Sequence, residues 1–397
     1  MRISPKWQTL LLLALGELLA MGLWFSATAV VPALREHWGL TAGQAAWLTM
    51  AVQLGFVAGA LGSALLNLPD LFEPRKVIAV GAAVGAALNA LVPALDVGFG
   101  VVVALRFGTG IALALVYPVG MKIMASWTRE DRGLGIGLLV GALTVGSASP
   151  HLIRALGGIG DWRPVMYAAS FFALVGAGLS WRVGVLGPYG SARAAFDWRR
   201  MIRSLTDRPL RLANFGYLGH MWELYALWTW IPVFLLEAWG RPGAAALGAF
   251  AVIAAGGLGS LAAGWLADRW GRTRTTMLSM VTSGACALLV GFAFDAPVAL
   301  IAVGLIWGFA VVADSAQFSS SVSELADPEY VGTQLTAQTS LGFLLTLASI
   351  QLVPIVAERT GWRWAFTVLA VGPALGTWAM WLLRRSPDAK RLAGGRG

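Results

Sequence analysis

In the stretch GYLGHMWELYALWTWIPVFLL, residues 216–236, His220 and Glu223 stand three apart inside an otherwise apolar, aromatic-rich run. That spacing puts them on one helical face. An imidazole titrates near neutrality, and a carboxylate beside it favours the protonated form. Three uses are open: handling of protons or substrate, a hydrogen-bonded pair that fixes the helix against a neighbour, or a metal site. For a metal, two ligands without a third or fourth are a weak set. Glu17, Arg106 and Asp314 also fall inside apolar runs. An ionisable group at the centre of a membrane helix costs at least about 2.5–3.5 kcal/mol, so each reads as functional by default.

Glu17 lies about nine residues into the first apolar run, roughly 14 Å at 1.5 Å per residue, and Arg106 about sixteen residues before Lys122, roughly 24 Å. With both side chains extended the two can pair, at the least as a structural salt bridge. Asp314, in VVADSAQFSSSVSE with Ser315 and Gln317 close by, can bind polar groups of a substrate or hydrate a vestibule. Trp24, Trp222, Tyr225, Trp228 and Trp307 can form stacking walls or simply pack. Tyr117 beside Pro118 combines a hydroxyl with a local bend. Gln334 and Gln338 share a face and can donate to a substrate. Gly133, Gly137 and Gly141 step by four, a close-packing groove. The run GLGIGLLVG is no nucleotide loop, because no strand precedes it.

The elements that carry these residues belong to a membrane. Of 397 residues, 57% are hydrophobic and 12% charged, with mean hydropathy +0.71. A soluble domain carries about 25% charged residues. The net charge of +9 does not imply nucleic acid, because Lys and Arg fall in short clusters between apolar segments. The single cysteine, Cys286, excludes an internal disulfide and a thiolate metal site. The N-terminus resembles a signal peptide, but its apolar stretch continues to about Val31 and contains Glu17, so it reads as the first span. Stretches of about 20 apolar residues, enough to cross a bilayer, lie near 8–32, 43–66, 77–95, 98–122, 133–156, 164–184, 212–236, 245–267, 275–294, 297–321, 334–356 and 364–383.

With the N-terminus inside, 22 of the 29 Lys and Arg fall on inner loops, tails and helix ends, and six on outer loops. The positive-inside rule therefore predicts two cytoplasmic termini in an inner membrane. The halves echo each other. DWRPVMYAASFFALVGA from Asp161 and GWRWAFTVLAVGPALG from Gly361 are offset by 200, as are LRFG ending at Gly108 and LIWG ending at Gly308. LGE ending at Glu17 precedes LGH ending at His220 by 203. The expected organisation is an all-α membrane protein of two pseudo-symmetric six-helix bundles, 1–186 and 212–397, joined by a linker, 187–211, read as a solvated basic connector. Duplicated units of this kind hold a substrate site near mid-membrane between the halves.

Between spans eight and nine lies GWLADRWGRTR, Gly264 to Arg274. It resembles the loop signature of the major facilitator superfamily, G-x-L-A-D-R-x-G-R-R/K. Gly264, Asp268, Arg269, Gly271 and Arg272 match, and Thr273 departs from the usual basic residue. The resemblance implies the twelve-helix fold, transport by alternating access and a cavity lined by spans one, four, seven and ten, which carry Glu17, Arg106, His220, Glu223 and Asp314. It also implies that the motif residues gate, by latching the outward-facing state. The first-half counterpart, GSALLNLPDLFEPRK from Gly62, keeps Asp70, Arg75 and Lys76 but has Glu73 and Pro74 at the Gly-Arg step. LRFGTG resembles the superfamily's fourth-helix motif, whose Arg works with an acid on helix one in proton-coupled relatives. The chain is similar, loosely, to uncharacterised bacterial permeases, some grouped near cyanate- or nitrate-type carriers. Ile306 and Trp307 stand where nitrate-type carriers bear a second Arg. GSASPHLIRALGG keeps Pro150 of the drug-antiporter signature but has Ser149, Ile153 and Arg154 elsewhere, and His151 beside it reads as structural.

The expectation is a secondary transporter, not an enzyme, moving a small organic solute with protons, the favoured cargo being an organic anion met by Arg106. The pathway residues are Glu17, Arg106, His220, Glu223, Asp314, Trp24, Tyr117, Tyr225, Trp307, Gln317 and Gln338. The alternative is a proton-driven exporter of cationic or amphipathic compounds held by Glu17, Glu223 and the aromatics. A polytopic enzyme or sensor is a third class, opposed by the lack of a nucleophile–base–acid set and of a loop longer than the 25-residue linker. Partners are the bilayer, protons and a small molecule; no nucleic acid, metal, cofactor or ATP is implied, and the chain is expected to act as a monomer.

Overall fold

Apolar runs in lipid leave the backbone one local way to satisfy its own N–H and C=O groups, the α-helix. The computed structural model describes residues 4–95, 98–129, 131–157, 160–184, 186–189 and 197–397, and among them it contains no β-strand. The helices are α1 (Pro5–Ala29), α2 (Val31–Trp38), α3 (Ala42–Leu65), α4 (Leu68–Leu71), α5 (Pro74–Leu95), α6 (Phe99–Leu113), α7 (Tyr117–Trp127), α8 (Arg132–Gly157) and α9 (Arg163–Ser180). They continue with α10 (Trp198–Thr206), α11 (Arg208–Trp239), α12 (Pro242–Trp270), α13 (Arg272–Leu289), α14 (Pro297–Ala313), α15 (Ser315–Leu325), α16 (Val331–Thr360) and α17 (Val371–Arg384).

Among the described residues, ten segments are long and apolar enough to cross a membrane. The 18-residue α9 and the 32-residue α11 complete the twelve-span pattern. Basic residues at their starts (Arg163; Arg208 and Arg211), and in α11 also His220 and Glu223, dilute the apolar signal of these two. Spans four and ten are each split, as α6/α7 and α14/α15, at the equivalent places 114–116 and Asp314. The first break sits just before Pro118, near the bend expected there. The second is at an ionisable residue and is not marked by a proline.

The first half packs α1 on α8 and α9, α3 on α6, and α5 on α6 and α9. The second repeats the pattern with α11 on α16 and α17, α12 on α14, and α13 on α14 and α17. Two seams join the halves, α8 against α12 and α3 against α16. Lys6 pairs with Asp131 ahead of α8 (2.7 Å), and Arg396 donates to the Asp268 carbonyl in α12 (2.7 Å). Both chain ends therefore lie at one end of the bundle, the terminal end. The linker is more than a solvated connector: α10 forms inside it, started by the Asp197 carboxylate accepting from the Arg199 N–H (2.8 Å).

Candidate functional site

The residues singled out from the sequence separate into four places. The first is a polar knot within the first half. Arg106, fully buried on α6, makes five hydrogen bonds: to the carbonyls of Leu48 (3.1 Å), Leu23 (2.8 Å) and Trp24, to Ser26 Oγ (3.2 Å) and to Asn89 Oδ1 (3.0 Å). Asn89 Nδ2 donates in turn to the Met166 carbonyl (3.0 Å) and Ser170 Oγ (2.9 Å). One guanidinium thus ties α1, α3, α5, α6 and, through Asn89, α9. The expected Glu17–Arg106 pair does not form. Arg106 turns toward the carbonyls one to two turns beyond Glu17 on α1, because each of its three nitrogens finds an acceptor there. The guanidinium is thus committed to hydrogen bonds within the first half.

The second place is the counterpart junction of the other half. Glu223 accepts from Trp307 Nε1 (2.6 Å) and Ser283 Oγ (2.7 Å), joining α11, α14 and α13. The expected His220–Glu223 partnership is therefore corrected. The i,i+3 face is real, but each group turns to a different neighbouring helix. Trp307 has its ring against Phe366 (5.3 Å) and is fully buried within its half, so it is no wall of an interdomain cavity. Trp222 likewise donates to the Val368 carbonyl (3.2 Å).

The third place lies between the halves. Trp24 stacks against Phe56 (4.9 Å), Phe343 (5.2 Å) and Tyr225 (5.7 Å), and Phe25 meets Trp228 (5.6 Å). These rings, from α1, α3, α11 and α16, close the centre toward the end opposite the termini. Beyond them Thr346 Oγ1 donates to Gln53 Oε1 (2.7 Å) and Gln351 Nε2 to the Gly43 carbonyl (3.3 Å), both across the α3–α16 seam. On the terminal side of the rings is a cavity of about 30 Å³, lined by Tyr117, Thr144, Tyr217, Tyr225, Trp228, Ser315 and apolar neighbours from both halves. That is room for a water molecule or two and for no organic solute. Near the Tyr117 wall the buried Glu17 carboxylate faces Gly120, with no hydrogen-bond partner on either oxygen. Near the Tyr217 wall His220 Nδ1 lies 2.8 Å from Asp314 Oδ1, both groups buried, with the His220 ring between Tyr217 (5.9 Å) and Phe318 (5.7 Å).

The fourth place is the GWLADRWGRTR cluster at the terminal end. Arg272 bonds Asp268 Oδ1 (2.8 Å), Gln317 Oε1 (2.9 Å) and Glu324 Oε1 (2.9 Å). Arg269 stacks over Trp265 (3.7 Å), and Gly271 turns the chain at φ 98°, a conformation that favours glycine. Gln317, expected at the cargo, serves this cluster. Gln338 Nε2 instead donates to Asn214 Oδ1 (3.0 Å), and Gln334 is held by α10. The expected glycine groove is filled by α12. A Cβ at Gly133 would fall 2.5 Å from Asp268 Oδ1, one at Gly137 2.8 Å from the Ser260 carbonyl, and one at Gly264 2.5 Å from the Gly133 carbonyl. In the first-half counterpart the Asp70 side chain lies outside the described residues. There Glu73 pairs with Arg75 (2.8 Å) and Lys76 (2.9 Å), and hydrogen bonds from Lys76 and Arg75 hold its carboxyl below the usual carboxylate range.

Sequence reasoning missed Tyr217, Phe56, Phe343, Thr144 and Gln53. Tyr217 had a signal, since it precedes His220 by three on the same face. The others sit in apolar runs with nothing to mark which face meets the other half.

The chain matches the profile of the Major Facilitator Superfamily over residues 13–349 and 213–397. It is 28% identical over 182 residues to the uncharacterized transporter YgaY of Escherichia coli O157:H7, covering 45% of this chain and 45% of that protein. It thus spans under half the length of this relative. It is 24% identical to the 4-hydroxybenzoate transporter PcaK of Pseudomonas aeruginosa, over 88% of this chain and 80% of that one. Its fold superimposes on the proton:xylose symporter XylE bound to 6-bromo-6-deoxy-D-glucose with TM-score 0.75, 14% identity and 95% coverage of both chains.

Proposed function

The chain belongs to the major facilitator superfamily of multi-pass membrane transporters, and from that premise we propose that it carries a small aromatic organic acid together with a proton by alternating access. The observation that carries this reading is the interdomain cavity: aromatic and hydroxyl walls with one buried, unpartnered carboxylate, Glu17, beside them. An anion about 4 Å from a charged Glu17 is opposed by roughly 4 kcal/mol at an effective dielectric of 20. A proton on Glu17 removes that term, so cargo and proton enter together. The ring of the cargo stacks on the walls, each pair contributing about 0.5–1.5 kcal/mol. Tyr117, Thr144, Tyr217 and Ser315 offer neutral hydroxyls to its carboxylate. The similarity to a 4-hydroxybenzoate carrier supports this cargo class. In this reading the terminal end, where Lys and Arg concentrate, is cytoplasmic and the membrane is the inner one. Asp268 and Arg272 latch that end shut, and the His220–Asp314 pair is a second proton site.

One observation favours a second reading, export of aromatic cations in exchange for protons: no guanidinium or ammonium lines the cavity among the described residues. Reconstituted vesicles with an imposed pH gradient separate the two. Gradient-driven accumulation of radiolabelled 4-hydroxybenzoate, lost in Glu17→Gln, supports the first. Proton-exchanged movement of tetraphenylphosphonium, lost in the same variant, replaces it with the second. Movement of neither compound overturns both cargo assignments.

A further inference from the structure

The helix inside the linker has three faces. One is docked: Ser204 is fully buried and bonds Gln334, whose Nε2 donates to the Arg200 carbonyl (2.6 Å), and Asn214 Nδ2 donates to the Ser204 carbonyl (3.0 Å). The second carries Trp198, Ile202 and Leu205 at spacing i, i+4, i+7, exposed by 61%, 51% and 42%. The third carries Arg199 and Arg203. Three large apolar side chains on one face of a nine-residue helix, flanked by arginines, do not describe a solvated connector.

The charges are distributed in the same sense. Asp327 is held by Arg200 (3.0 Å), which also lies over the Tyr330 ring (4.3 Å), and is reached only at 3.4 Å by Arg203. Arg199 has no carboxylate partner among the described residues and stacks over Trp198 (5.4 Å). The arrangement recurs at the terminal end, where Lys6 lies over Trp7 (5.7 Å), Arg269 over Trp265 (3.7 Å) and Arg385 over Trp381 (4.0 Å), each ring exposed. An exposed indole topped by a cation suits the headgroup layer, with the ring among glycerol and upper acyl groups and the cation at the phosphate.

We propose that α10 binds anionic phospholipid. Trp198, Ile202 and Leu205 lie in the upper acyl region, Arg199 and Arg203 hold headgroup phosphates, and Arg203 is shared between lipid and Asp327. The lipid surface is the occupant because α10 joins the membrane helix α11 through Asp207 alone, and because the charged side chains that α10 itself carries, Arg199, Arg200 and Arg203, are all basic. Through Gln334 and Asn214 the docked face ties this lipid-held helix to α16 and α11.

The test uses the full chain in nanodiscs of phosphatidylcholine, with or without phosphatidylglycerol. A spin label is placed at Ile202→Cys or Arg203→Cys in a Cys286→Ala background. Power saturation is expected to show the Ile202 label accessible to oxygen and shielded from a nickel chelate, the Arg203 label the reverse, and the Ile202 label moving deeper with phosphatidylglycerol. Adding Arg199→Gln and Arg203→Gln should abolish that shift while the oxygen preference at Ile202 persists. An Ile202 label open to nickel in both lipids overturns the proposal. So does a depth indifferent to phosphatidylglycerol, and so does shielding from both probes, which marks a second protein copy on this face.

Discussion

His220 Nδ1 and Asp314 Oδ1 lie 2.8 Å apart across the break that splits span ten, so the one interruption of that helix is also where an acid meets the imidazole of span seven. The pair is fully desolvated, and removing one member leaves the other buried without compensation. Asp314→Leu alone is expected to destabilise the purified protein by about 3–5 kcal/mol. The double variant His220→Leu, Asp314→Leu should recover most of that loss yet remain inactive. Thermal melts of both singles and the double, set beside vesicle transport, check this; a double variant that melts as low as the sum of the singles contradicts it.

Glu17 behaves differently, because it has no partner to strand. Glu17→Gln keeps the shape and removes a group that is costly to ionise when buried without a partner. The melting temperature should hold or rise, accumulation against a pH gradient should vanish, and exchange of labelled for unlabelled cargo without a gradient should survive. Loss of exchange together with accumulation would assign Glu17 to the cargo rather than to coupling.

Arg106 is expected to matter for folding and little for recognition. Lysine cannot reproduce five donors in one plane. Each lost hydrogen bond contributes about 0.5–1.5 kcal/mol, and stranded buried acceptors cost more. Arg106→Lys should therefore lower the melting temperature and the maximal rate while leaving KM near that of the parent. A KM raised tenfold or more with an unchanged melting temperature would return Arg106 to the cargo site.

The α8–α12 seam leaves no room for a side chain at Gly137 or Gly264, each of which faces a backbone carbonyl across it. Gly137→Leu forces its Cβ toward the Ser260 carbonyl, and overpacking of this kind costs about 1–3 kcal/mol. The seam should part at the terminal end, so a thiol placed at Ser260 in a Cys286→Ala background should label faster from that side in Gly137→Leu than in its parent. Equal labelling rates would show that the seam is held by Asp268, Arg272 and their partners alone.

How much of this was legible beforehand depends on how local the physics is. Apolar length, the basic clusters, the 200-residue echo and the GWLADRWGRTR loop are properties of contiguous residues. The membrane helices, their pattern in two halves and the family's loop motif therefore follow from reading along the chain. So does the set of ionisable groups that must be buried, because a residue in the middle of an apolar run goes where the run goes. Their partners do not follow. Glu223 and Trp307 are 84 residues apart, and Arg106 and the Leu23 carbonyl 83. Which helix face meets which is set by the packing of whole helices, not by spacing along one of them. The i,i+3 rule brought His220 and Glu223 to one face, but a long side chain turns to the best acceptor or donor on the adjoining helix. The tertiary structure alone decided that Arg106 is committed to helix–helix hydrogen bonds within the first half, that Asp314 meets His220, and that Glu17 remains without a partner against Gly120 of its own half.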